Sequence, residues 1–253
     1  MNKIITFFTV LLILSTTMYA GNFEGRMDMQ VESAEKGKSQ STQKLVFFIK
    51  GVKGLVEIQN ESGETQGSMI WDTEKDEIIT LVDNDGQKMA MKSTISLWKT
   101  LAKSMSGMFA SLDYADEGDE FTWEKTSETK TIDGVRSTKY KGTNDEYTME
   151  AWVAESQQMP RNALAPFMQV FPSLESMHGF GTGFVKQSVI KAKDGSSTVT
   201  FQNKLSQKSV DDAKFEVPSD YAVMDISRMI EQMQNLDEET SRRFMEQMMR
   251  GGR

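Results

Sequence analysis

The sequence predicts a mainly β chain with helical cover (α+β), and three observations carry that prediction. Between Gln43 and Met91 a succession of apolar runs of strand length (KLVFFIKG, KGLVEIQN, GSMIWDT, DEIITLVDNDG and QKMAMK) is cut at its breaks by Gly, Asn or Asp, the pattern of an antiparallel meander. Asn22 to Ser33 alternates, with Phe23, Met27, Met29 and Val31 on one parity, Gly25 as the gap, and Glu24, Arg26, Asp28 and Gln30 on the other. That period of two fits a sheet with one wet face. From Ile95 to Leu112, Trp98, Leu101, Ala102, Met105, Met108, Phe109 and Leu112 recur at helical spacing, and Ser93 or Thr94 can cap the helix.

The remaining elements follow in order. Ala34 to Thr42 is polar and reads as a hairpin loop. Val46 and Phe48 fill the second parity of a strand that already carries Leu45, Phe47 and Ile49, and Ile78 to Val82 is equally apolar. Such strands are covered on both faces, and helices are the expected cover. After an acidic loop, Phe121 and Trp123 alternate with Thr122 and Glu124, and Asp133-Gly134 joins Thr129–Ile132 to Arg136–Lys141 as a hairpin. Tyr147, Met149, Ala151 and Val153 alternate again. Leu164, Phe167, Met168, Phe171, Leu174 and Met177 have helical spacing, but Pro166 and Pro172 break it and Gly179, Gly181 and Gly183 follow. This segment reads either as a core crossover or as a lid. Strands resume at Phe184–Lys193 and Ser196–Asn203, and Lys204 to Ser209 closes the sheet. Ala222 to Arg253 is Met-rich and charged, without strand signals. Ile226, Met229, Ile230 and Met233 mark one short helix in it, and Leu236, Phe244, Met245, Met248 and Met249 a second.

Composition narrows the function. A chain of 253 residues with 38% hydrophobic content can bury one large core. Its net charge of −8 argues against a nucleic-acid partner, which needs a basic footprint, and against electrostatic attachment to anionic lipid. With no cysteine there are no disulfides, thiolate metal sites or cysteine nucleophiles, and no lipid attachment through an N-terminal cysteine. Lys3, the apolar run Ile4–Leu14 and the small-residue approach to Ala20 read as a signal peptide cut near Ala20, which predicts a periplasmic or secreted protein. The expected division is therefore a signal peptide over 1–20, a sheet domain over 21–224 and a helical or partly disordered tail over 225–253.

No catalytic apparatus stands out. The single histidine, His178, lies in a Met-His-Gly context, and no Gly-x-Ser-x-Gly elbow occurs. Asp83-Asn84-Asp85-Gly86 resembles part of a calcium loop, yet aligning Gly86 on the loop's glycine puts Leu81 and Lys92 where acidic ligands belong. A turn is the expected reading. The acidic residues sit on polar parities and in loops, as a solvated surface does. The chain is expected to be non-catalytic, with neither cofactor nor metal.

Three stretches resemble a widespread exported domain family of unknown function related to the lipoprotein-localisation-factor superfamily (LolA, LolB and LppX-like proteins). They are NFEGRMDMQVES, the meander FFIKGVKGLVEIQ…SMIWDTEKDEIITLVDNDGQKMAMK, and the ending QNKLSQKSVDDAKFEVPSDYAVM. The resemblance covers about Asn22 to Met224. It implies a strongly curved antiparallel sheet forming an unclosed half-barrel, with helices covering its concave face, and a cavity that in characterised relatives holds acyl chains.

Two functions fit. The first is an exported, non-catalytic binding protein for a lipid or other hydrophobic ligand, with Phe47, Trp71, Trp98, Leu101, Met105, Phe109, Phe167, Phe171 and Phe184 lining the site. The second is an envelope protein–protein interaction module with a filled core, its partner docking on the C-terminal tail.

Overall fold

The computed structural model describes residues 23–37, 39–84, 86–98, 121–160, 164 and 183–234. The strands run Glu24–Glu35 (β1), Ser41–Lys50 (β2), Lys53–Gln59 (β3), Thr65–Asp72 (β4), Glu77–Asn84 (β5), Gln87–Thr94 (β6), Thr122–Ile132 (β7), Val135–Thr143 (β8), Tyr147–Gln158 (β9), Gly183–Ala192 (β10), Ser197–Gln207 (β11) and Ala222–Asp225 (β12). They form one 12-stranded sheet in the order β12-β6-β5-β4-β3-β2-β1-β11-β10-β9-β8-β7. The sheet is open, with β12 and β7 at its two ends. Two antiparallel meanders, β1–β6 and β7–β11, meet along the β1–β11 pairing, which runs from Gly25↔Gln207 to Glu35↔Ser197.

The turns obey local chemistry. Asp133 and Gly134 both hold positive φ, 50° and 75°, as a two-residue hairpin that matches the strand twist requires. Asp83 and Gly86 close the expected turn, the Gly86 N–H donating to Asp83 Oδ1 at 3.0 Å. Residues 95–98 open a helix whose cap is Thr94, its Oγ1 accepting from the Leu97 N–H at 3.2 Å.

Parity sorts the side chains into two faces. The inner face carries one continuous buried cluster running from Met27, Phe47, Val56, Trp71 and Ile78 to Met149, Val153, Ile190 and Phe201. Ile95, Trp98 and Leu164, which lie outside the strands, join it. A second, smaller cluster on the outer face unites Leu55, Ile70, Ile79, Leu81 and Ala90, with Phe48, Phe215, Val217 and Tyr221 packed against it. On the outer face the cover is not the helix that the doubly apolar strands suggest. The second face of β3–β6 is closed by the 3-10 turn Asp212–Phe215 and the extended chain that follows it. Three ion pairs hold that strap, Lys50–Asp212 at 2.9 Å, Lys88–Asp220 at 2.7 Å and Lys214–Glu57 at 3.5 Å. They are solvent-screened and contribute little, so the apolar burial of Phe215, Val217 and Tyr221 supplies most of the adhesion.

Three further expectations change. Ala222–Asp225, read as lacking strand signals, is β12 and runs parallel to β6, with Ala222↔Met89 through Asp225↔Lys92. Its pairing draws on the backbone groups of the β6 edge and needs no apolar pattern; Val223 is in fact 61% exposed. The hairpin joining β1 and β2 is tighter than its polar residues suggest, since pairing continues to Ser33↔Ser41. Phe121–Glu124 and Thr129–Ile132 belong to one strand segment, because β7 keeps its pairing with β8 across a register shift between Lys125 and Thr129.

Aromatic rings cover three glycines. Trp71 lies over its cross-strand partner Gly54, Trp123 over Gly142, and Phe23 over Gly25. Each ring occupies the space a Cβ would need, so the strand gains apolar cover that glycine itself cannot provide.

Candidate apolar binding face

Four of the nine residues expected to contact an apolar ligand are described, and the inner cluster holds all four: Phe47, Trp71, Trp98 and Phe184. Phe47 comes from β2, Trp71 from β4, Trp98 from the capped helical turn, and Phe184 from the start of β10. The pairings Phe47↔Val56, Val56↔Met69 and Trp71↔Ile78 align the first two with apolar neighbours on the same face. Leu101, Met105, Phe109, Phe167 and Phe171 lie outside the described residues.

Polar groups interrupt this face at few points. Ser188 on β10 pairs with Ala151 and Phe201, is wholly buried, and its Oγ makes no hydrogen bond among the described residues. A buried hydroxyl left in this state costs free energy. Asn203 is satisfied on one side only: Nδ2 donates to the Val185 carbonyl at 3.0 Å, while Oδ1 has no partner among the described residues. Sequence reasoning named neither residue. Their signal was a polar residue on the inward parity of an otherwise apolar strand, in SVIKA and TFQNK.

The titratable groups near this sheet end are mutually neutralised. Glu155 accepts from Tyr140 Oη at 2.9 Å and pairs with Lys125 at 2.7 Å. The Lys125 hydrogen bond, then that of Tyr140, holds the Glu155 carboxyl below the usual carboxylate range. The same bond to Glu155 raises Lys125, and burial raises Tyr140. Each group is pushed further into its ordinary ionisation state, so none of the three is poised for proton transfer near neutrality.

Solved structures overlap this sheet at low identity. An uncharacterised conserved protein from Thermus thermophilus has 10% identity and a TM-score of 0.42, over 86% of this chain and 99% of that one. A LolA superfamily protein from Nitrosomonas europaea has 10% identity and a TM-score of 0.33, over 79% and 92% of the two chains. PNGF-II has 14% identity and a TM-score of 0.35 over 82% of this chain, which spans only 32% of the length of PNGF-II. No curated protein matches. At the level of sequence, residues 23–221 match the family described as "Domain of unknown function (DUF4412)". That span runs from the start of β1 to the end of the outer-face strap, and the chain belongs to this family.

Proposed function

We propose that the protein is an exported, non-catalytic binding protein for a lipid or other hydrophobic ligand of the cell envelope, acting in a Gram-negative periplasm after signal cleavage near Ala20. The observation that carries this reading is the continuous apolar inner face, which gathers Phe47, Trp71, Trp98 and Phe184 into one cluster. An apolar ligand entering this face between the sheet and the segments that supply Trp98 and Leu164 would gain about 25 cal/mol for each Å2 removed from water. Few specific polar contacts are then needed, and Ser188 Oγ, which has no hydrogen-bond partner among the described residues, could make one.

Native mass spectrometry of the protein purified from an envelope fraction, before and after solvent extraction, tests the reading. A mass excess that disappears on extraction, with lipid in the extract, is the expected result. A bare mass that stays unchanged after incubation with envelope lipids would overturn it. That outcome would favour a filled core and a protein partner docked on the C-terminal tail.

A further inference from the structure

We propose that a polar cleft on the outer face binds a small soluble oxyanion, a carboxylate or phosphate group, through the Lys186 ammonium. The cleft is lined mainly by outward-parity residues, with Met29 and Asn203 at its border with the inner face, and the proposal does not depend on the function proposed for that face. Its origin is a slip in strand pairing. On β10, Val185 pairs with Val153 and Gln187 with Trp152, so Lys186 is one residue too many. Bulges of this kind re-aim a side chain. Pairing of β10 with β11 starts only at Gln187↔Gln202, and the Asn203 side chain bonds the Val185 carbonyl. Asn203 thereby holds the bulge in place.

The bulge puts a lysine where lysines are seldom found. Lys186 is 3% exposed, and its closest carboxylate oxygen, Asp133 Oδ2, stands 3.8 Å away. That is too far for a hydrogen bond, and the ammonium makes none among the described residues. Burial pushes the Lys186 pKa down, and Asp133 opposes this only in part. Its other neighbour is the Phe184 ring, with the centroid 5.5 Å from Nζ, so a ligand that completes the coordination of this ammonium would be favoured.

The cleft beside it has a volume of about 290 Å3 and is lined by residues that include Lys44, Lys186, Lys204, Gln187, Gln202 and Asp133. Asp28 also borders it, but its carboxylate is engaged by the Arg26 guanidinium, with Nε at 3.0 and 3.1 Å from the two oxygens. Lys130 occupies Gln187 Oε1 at 2.7 Å, which leaves the Gln187 amide N–H groups as donors. Three ammonium groups and at least one oriented amide therefore outweigh the single remaining carboxylate, and the complementary ligand is an anion. The volume falls at the small end of ligand sites. It suits a small carboxylate or phosphate compound better than an acyl chain. A net charge of −8 disfavours an anionic bilayer as the source.

The test is a 1H–15N NMR titration of the intact protein at constant ionic strength, with sodium phosphate in one series and sodium acetate in another. Saturable shifts of the Gln187 and Gln202 side-chain amides with at least one anion are expected. Lys186→Met should weaken binding about tenfold or more, while Lys75→Met, on the β4–β5 turn, leaves it unchanged. Should Lys186→Met fail to fold, pH titration of the Lys186 Nζ signal in the parent protein decides: a bound anion raises its pKa. No saturable shift, shifts insensitive to Lys186→Met, an Nζ titration unmoved by the anion, or capture by phosphatidylglycerol vesicles without response to either soluble anion would each overturn the proposal.

Discussion

Gly54→Ala is the smallest change that should disturb the inner face. Gly54 on β3 pairs with Trp71 on β4, and a methyl carbon at position 54 would fall inside the indole, only 2.7 Å from even Cη2. The ring cannot step aside, because Trp71 is 1% exposed and packed within the main cluster. Overpacking by one methyl costs about 1–3 kcal/mol in ordinary cores. Displacing a whole indole approaches the about 3–5 kcal/mol of a Trp truncation, so a loss of about 3 kcal/mol is expected here. That is a substantial part of the about 5–15 kcal/mol that holds a typical domain. Equilibrium guanidinium unfolding, followed by tryptophan emission and far-ultraviolet circular dichroism, should show a lowered midpoint at unchanged slope. Trp71→Leu removes the obstacle, so the double variant should lose less than the sum of the singles by at least about 1 kcal/mol. A Gly54→Ala protein within about 0.5 kcal/mol of the parent, with an additive double variant, would refute the seating of the ring on the glycine.

Three other outcomes follow from the geometry. Truncation after Tyr221 removes β12, bares the β6 edge, and takes away Ser227 Oγ, which accepts from the Thr94 N–H at 3.1 Å. Size-exclusion chromatography should then show self-association, whereas truncation after Gln234, which keeps β12 and Ser227, should leave a monodisperse protein. Glu24 Oε1 accepts from the Val210 N–H at 2.6 Å and from Ser209 Oγ at 3.1 Å, and the Val210 bond leads in lowering its pKa. A depressed carboxyl pKa gives stability above the unfolded value that is lost as pH falls through the folded one. Thermal melts across the acid range should therefore fall more steeply for the parent than for Glu24→Gln below about pH 4.3. Ser188→Ala deletes a buried hydroxyl that has no partner among the described residues, and its melting temperature should equal or exceed that of the parent; a clear fall would show that the hydroxyl is satisfied.

Strands were legible wherever burial differs between the two faces. The alternation of Met27, Met29 and Val31 with Arg26, Asp28 and Gln30 is the alternation of buried and half-buried residues along β1. The double-sided apolar content of KLVFFIK and EIITLV correctly announced a second covered face, since Val46 and Ile79 are both buried. What covers that face was not legible. The strap, DAKFEVPSDY, sets only Phe215, Val217 and Tyr221 against the sheet, too few to make a pattern. Strand β12 escaped for a related reason, since backbone pairing at a sheet edge leaves no period in the side chains. Of the candidate site, the aromatic members Phe47, Trp71, Trp98 and Phe184 were readable because large apolar groups seek the core. Lys186 was not readable in the same way. Its only trace is a phase slip, two apolar residues followed by two polar ones in FVKQ, which is what an extra residue in a strand produces.

The seam between the two meanders also bears on how the chain reaches this structure. Strand β1 is made first, yet one of its two neighbours, β11, lies more than 160 residues further along, as in the pair Glu35↔Ser197. The β1–β6 half can pair locally as it is made, but until β11 arrives it presents the long β1 edge with its polar groups open. Non-local closure of this kind slows folding and lengthens exposure to edge-to-edge association. Lesions in the last strands should therefore be felt as trapped, aggregation-prone half-sheets. The fold is in this sense timed by its C-terminal third, and a holding chaperone would find its natural client in the interval before β11 docks.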